Sequence, residues 1–276
     1  MIKRIIVPTD FSECATNAIR YAARMAKDIK AEELVILHAF SIPIAHGEAA
    51  MTIGIDVISK EQDDLIERQF EDMIRKIDEL KEVNYSYSCK HGFIENLLQL
   101  ECNERDIDLI IMGTKGAHTF SEAVLGTNAF YIVKDSKYPI LILPENQKYT
   151  SLQHIALASD YKYFEPEIMK PLRDICTLFK SQVHIVHISE KEALKEDETT
   201  SAKRFEQYFK NIPHHFHFIL DHDVEHGLQE YIKKHTIQLL AVVPRKHNLY
   251  ERIFGKSETK KLIFHSELPI LALPSE

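Results

Sequence analysis

Short apolar runs recur along the chain, each ended by polar or turn-forming residues. Ile5-Ile6-Val7 is β-branched and stops at Pro8-Thr9-Asp10, the pattern of a short buried strand. Ser12 is placed to cap a following helix whose Ala15, Ile19, Ala22, Ala23 and Ala26 share one face. Glu33 to Phe40 (ELVILHAF) predicts a second buried strand. From Ser59 to Val83 the period becomes helical, with Leu65, Ile66, Phe70, Met73, Ile74, Ile77 and Leu80 recurring at three and four. Tyr85 to Lys90 alternates as a polar strand, His91-Gly92-Phe93 turns the chain, and Ile94 to Arg105 reads as a helix. Asp108 to Met112 predicts a fourth strand. A helix over 128–136 and a fifth strand at Tyr138 to Pro144 follow. Pro139 cannot donate to a ladder and suits that strand's first position.

Strands alternating with helices predict an α/β fold, a parallel sheet with helices on both faces. Ligands of such sheets sit beyond the carboxyl ends of the strands, where the strand order reverses. Asp10, the His38-Ala39 pair and Gly113 end three of the predicted strands and so fall on one rim.

The second half repeats the first. Ile5 to Asp10 returns as Ile155 to Asp160, Val35 to His38 as His184 to His187, and Leu109 to Met112 as Leu239 to Val242. Tyr138 to Pro144 returns as Leu268 to Pro274. The order is the same, so two copies of one five-stranded fold are expected, over residues 1–146 and 151–276, with a polar joint near Glu145 to Ser151. Glu190 to Lys210 of the second copy reads as a plain, highly charged surface helix.

Composition adds limits. The chain has 276 residues, 45% of them hydrophobic and 28% charged, with a formal charge of −8. That balance argues against a nucleic-acid backbone as main partner. No run is long enough to predict a membrane span. The opening Met1 to Pro8 is too soon interrupted by polar residues for a signal peptide, and the four cysteines form no CxxC; a reduced cytoplasm is the expected setting. Histidines crowd 214–226, where His215 and His217 would share a strand face. No carboxylate or cysteine completes a zinc set by spacing, and polar strand residues facing solvent are the simpler reading.

Glycine is scarce, and three of the eight fall in Gly113 to Asn128, GTKGAHTFSEAVLGTN. A glycine-bearing loop between a strand and a helix start can cradle phosphate, and can equally be an ordinary turn. In the second copy Pro244 is read opposite Gly113 and His247 opposite Gly116, so the loop is dismantled there while Asp160 remains. The stretch from Ser41 to about Ile58 reads as a lid or a surface loop.

VPTDFS at Val7 to Ser12, LHAF ending strand two, the MGTKG segment and the PILILP ending together resemble the universal stress protein (UspA-like) family, in a tandem form spanning nearly the whole chain. The family pattern G-x2-G-x9-G-[ST] is matched by Gly113, Gly116 and Gly126-Thr127. The resemblance implies a Rossmann-like sheet of the adenine-nucleotide α-hydrolase type in each copy. It also implies ATP, accompanied by Mg²⁺, on the rim of the first copy only. Pro8, Thr9 and Asp10 would contact adenosine and Ala39 the adenine. Met112 and Gly113 would lie under the sugar and phosphates, and Gly116, Gly126, Thr127 and Asn128 would hold the polyphosphate. Asn128 replaces an apolar residue of some ATP-binding members and also suits a helix cap. A stress or signalling role with a protein partner is the expectation. The alternatives are a slow ATPase or phosphotransfer enzyme, and an interaction protein working through the second copy. No nucleophile, base and orienter set appears, so efficient catalysis is not expected. The last strands of the copies are expected to meet as an internal pseudo-dimer, with further pairing into a homodimer left open.

Overall fold

The structure is a computed structural model. It describes residues 1–40, 55–114, 132–133, 136–161, 164–190, 196–243 and 268–274, with side chains of the second helix described from Asp64 and those of the fifth from Thr199.

Ten strands form one sheet. In the first half β1 is Arg4–Thr9, β2 Glu33–Phe40, β3 Tyr85–His91, β4 Leu109–Gly113 and β5 Ile140–Leu143. In the second, β6 is His154–Ala158, β7 Gln182–Ser189, β8 His214–Leu220, β9 Leu239–Val242 and β10 Ile270–Ala272. The spatial order is β3-β2-β1-β4-β5-β10-β9-β6-β7-β8. Pairing is parallel within each half and antiparallel between β5 and β10, where Leu141 faces Leu271. Pro139 stands just before β5 and contributes its carbonyl, which accepts from Ile110 N–H at 3.0 Å. In each half the order reverses beside the first strand, which places β1 between β2 and β4.

The helices are α1 Glu13–Ile29, α2 Ile55–Arg75, α3 Ile94–Glu104, α4 Pro166–Phe179, α5 Glu196–Phe209 and α6 Val224–Lys234. No helix among the described residues is long and apolar enough to cross a membrane. Alternate strand residues feed two cores. Ile5, Val7, Ile36 and Ile111 pack under α1 and α2, while Ile6, Val35, Ile110 and Met112 pack under α3. This is the two-faced burial a parallel sheet requires. Helix α1 starts where Ser12 Oγ accepts from Ala15 N–H at 3.2 Å and ends at Lys30 in the left-handed region. Its small buried face, Ala15, Ala18, Ala22 and Ala26, lets the helix lie close to the sheet.

Several expectations need correction. The helix expected over 59–83 starts earlier, at Ile55, and stops at Arg75; Asp78–Glu82 then forms a 3₁₀ turn. Leu65 is 57% exposed, because it lies one position off the stripe made by Ile66, Phe70 and Met73. Helix α5 is not a plain surface helix. Phe205 and Phe209, four apart, are fully buried while charged residues cover its outer face. The pairing register also corrects the comparison of the two halves. Gly113 lies opposite Leu143, and Val242 opposite Ala272, so Val243, not Pro244, stands at the position of Gly113. Pro244 and His247 lie outside the described residues, as do residues 41–54 of the lid-like stretch.

Candidate functional site

The carboxyl ends of β2, β1 and β4 lie side by side, and the crevice at the strand-order reversal is the gap between β1 and β4. Thr9 and Asp10 form one lip and Met112 and Gly113 the other, with Ala39 on the next strand over. The N-terminus of α1 rises directly from the first lip.

Local hydrogen bonding fixes this corner. Thr9 is buried, and its Oγ1 accepts from Phe11 N–H at 3.1 Å; Phe11 takes a left-handed conformation, φ 63°. A phenylalanine is rarely held there. Its ring meets His38 at 4.5 Å and Phe70 at 5.0 Å, and this packing compensates the conformation. Asp10 is exposed, and its Oδ1 accepts from Ser12 N–H at 3.1 Å, which puts a carboxylate at the positive end of α1. His38 Nδ1 lies 2.8 Å from the Thr9 carbonyl oxygen. Burial pushes the His38 pKa down, against the raising influence of that bond and of the Asp10 charge, so the neutral ring is favoured as a spacer between β1 and β2.

Gly113 is not held in a backbone conformation that favours glycine. Among the described residues Gly92, at the turn into α3, is the glycine with a positive φ, 144°. Gly113 instead needs space. A Cβ there would come within 2.4 Å of Cys14 Sγ and 3.2 Å of the Cys14 carbonyl oxygen. The missing side chain lets the first turn of α1 sit on the end of β4.

The second half repeats the scaffold and changes this contact. Ser159 Oγ accepts from Tyr161 N–H at 3.1 Å, Tyr161 is also left-handed, φ 56°, and His187 Nδ1 is 2.9 Å from the Ser159 carbonyl oxygen. Helices α1 and α4 end at equivalent left-handed caps, Lys30 and Lys180. Helix α4, however, begins only at Pro166, three positions later in the repeat than Glu13. Val243 stands at the Gly113 position of this half.

The sequence profile of the universal stress protein family matches residues 1–144, more than half of the chain. The chain belongs to the universal stress protein family. A universal stress protein of Methanocaldococcus jannaschii is 25% identical over 155 residues, which are 52% of this chain and 95% of that protein. The structure of a universal stress protein from Archaeoglobus fulgidus aligns with a TM-score of 0.69 at 18% identity, covering 98% of this chain and 95% of that one. A Pseudomonas aeruginosa protein of unknown function aligns with a TM-score of 0.58 at 14% identity, covering 99% and 93%. These two structures share the fold with this universal stress protein.

Of the expected site residues, Pro8, Thr9, Asp10, Ala39, Met112 and Gly113 share one rim; Met112 itself is buried, with its side chain in the α3-side core. Gly116, Gly126, Thr127 and Asn128 lie outside the described residues. The contact between Gly113 and Cys14 leaves no short-range signal in the sequence, because the two residues lie far apart along the chain. From sequence, His217 reads as solvent-facing. The ring instead stacks on His184, centroids 5.5 Å apart and 14° from parallel. Among the described residues no group of three or more His, Cys, Asp or Glu is placed to hold a metal ion.

Proposed function

We propose that this universal stress protein binds one ATP, with Mg²⁺, on the rim of a first domain, residues 1–146, and works as a nucleotide-dependent regulatory protein in the cytoplasm. A second domain, residues 151–276, keeps the fold without the site. The observation that carries this reading is the crevice between β1 and β4. It has the Asp10 carboxylate on one lip, the backbone of Gly113 on the other, and a helix N-terminus at its edge. The motif completed by Gly116, Gly126 and Thr127 supports the same assignment.

The described residues suit such a ligand. Asp10 offers a hard oxygen donor that would help place Mg²⁺ through water, and Mg²⁺ bound by phosphates needs few protein ligands. Asp10 Oδ1 also accepts from Ser12 N–H, and His38 Nδ1 is held at the Thr9 carbonyl, so both groups position backbone at the rim. Purified chain, precipitated with acid, is expected to release an adenine nucleotide or, when stripped, to bind ATP saturably. The absence of both release and saturable binding would refute the reading.

A further inference from the structure

The two halves pin equivalent helices to the sheet with different chemistry. Helices α3 and α6 both have eleven residues, and matching backbone bonds follow them. Arg105 N–H reaches Glu101 O as His235 N–H reaches Tyr231 O, and Asp108 N–H reaches Arg4 O as Gln238 N–H reaches His154 O. Strand registers complete the match. Val35 corresponds to His184, and Ser86 and Ser88 to His215 and His217.

In the first half this position holds fixed charges. Glu101, 1% exposed, meets Lys90 at 2.5 Å and Arg105 at 2.7 Å, and Arg105 also reaches Glu33 at 3.3 Å. In the second half the carboxylate has become Tyr231, and aromatic rings replace the ions. His184, 6% exposed, has Nδ1 2.7 Å from Tyr231 Oη and Nε2 3.2 Å from His154 Nδ1. His217 stacks on His184, and Tyr231 stacks on His235 at 4.1 Å. His217 Nε2 is buried with no hydrogen-bond partner.

We propose that this half carries an acid-sensitive latch, in which the imidazoles of His184 and His217, packed among His154, Tyr231 and His235, hold α6 on the sheet only while those two rings are uncharged. Among the described residues no carboxylate forms an ion pair with His184 or His217. The adjoining groove, about 820 Å³, is lined by His217, Tyr231 and His235 together with Lys233 and Lys234 from α6. Its carboxylates are already paired, Glu230 with Lys233 at 3.3 Å and Asp221 with His226 at 2.8 Å. His215, on the same strand as His217, adds a further imidazole. Among the described residues no three ligands converge on the cluster to hold a metal ion.

Burial, then the neighbouring His217, His154, His235 and His215, pushes the His184 pKa from 6.5 down to about 4; burial, then His235 and His215, lowers that of His217. A histidine with a depressed folded pKa binds fewer protons folded than open. The stabilisation is therefore complete above pH 6.5 and is lost as pH falls from there toward 4. At pH 5 the opening equilibrium of α6 should rise roughly thirtyfold from His184 alone. The first half, held by ion pairs in place of imidazoles, should not follow.

Hydrogen exchange on the full chain, corrected for intrinsic rates, tests this. Between pH 7.5 and 5.0, protection of 224–234 should fall roughly thirtyfold relative to 94–104. His184→Val with His217→Ser, which install the first half's residues, should remove most of that difference. Direct NMR titration of the wild-type rings needs no variant, and both should titrate below 6.5. Unchanged relative protection, or both rings titrating at 6.5, would overturn the latch.

Discussion

Gly113→Ala is expected to lower the unfolding free energy by about 1–3 kcal/mol, the usual cost of overpacking a close contact. The added Cβ would stand 2.4 Å from Cys14 Sγ, so either the sulfur or the first turn of α1 must move. Cys14 is buried and its carbonyl oxygen is also near, at 3.2 Å, which limits the ways of yielding. Cys14→Ala removes the closer of these obstacles. The double variant should therefore recover much of the loss, and the two substitutions should couple strongly in a double-mutant cycle. Denaturant unfolding of the four proteins measures both quantities. Additive effects, or a Gly113→Ala chain as stable as its parent, would show that the glycine is not required for this contact. In the second half Val243 stands at this position, and the equivalent helix starts three positions later in the repeat.

Asp10→Asn is expected to weaken ATP binding tenfold or more, while Asp160→Asn leaves it unchanged. The amide retains an Oδ1 able to accept from Ser12 N–H, so the helix start survives and the loss reports on the charge. A charge-assisted hydrogen bond exchanged for a neutral one loses about half its strength, which at a partly desolvated rim is roughly a tenfold effect. Asp160 follows the same turn in the second half, with Ser159, Tyr161 and His187 arranged as Thr9, Phe11 and His38 are. It is therefore a control with the same backbone and a different rim. Equal losses from both substitutions would place nucleotide in both halves. No loss from either would remove Asp10 from the site.

Much of this structure was legible in the residues. The apolar runs gave the strands to within a residue or two, and Ser12 announced α1 because a hydroxyl before an amphipathic stretch has few better uses. The rim followed from strand direction alone. Pairing Leu109 to Met112 with Leu239 to Val242 already sets Val243, not Pro244, opposite Gly113, and the hydrogen-bond register agrees. What escaped notice depended on contacts distant in sequence. Phe205 and Phe209 were hidden among charges, since two anchors four apart bury a helix whose composition looks solvated. The histidine cluster draws one ring each from β6, β7, β8 and the end of α6, so no local spacing could reveal it. The role of Gly113 was legible only in part. Its place at the rim followed from sequence, and its need for space did not.

The nucleotide assignment stands or falls on stoichiometry. Calorimetric titration of the nucleotide-stripped chain with ATP and Mg²⁺ should give one site per chain, abolished or strongly weakened by Asp10→Asn and indifferent to Asp160→Asn. Two sites per chain, or no heat and no saturable binding at all, would contradict a single nucleotide held between β1 and β4.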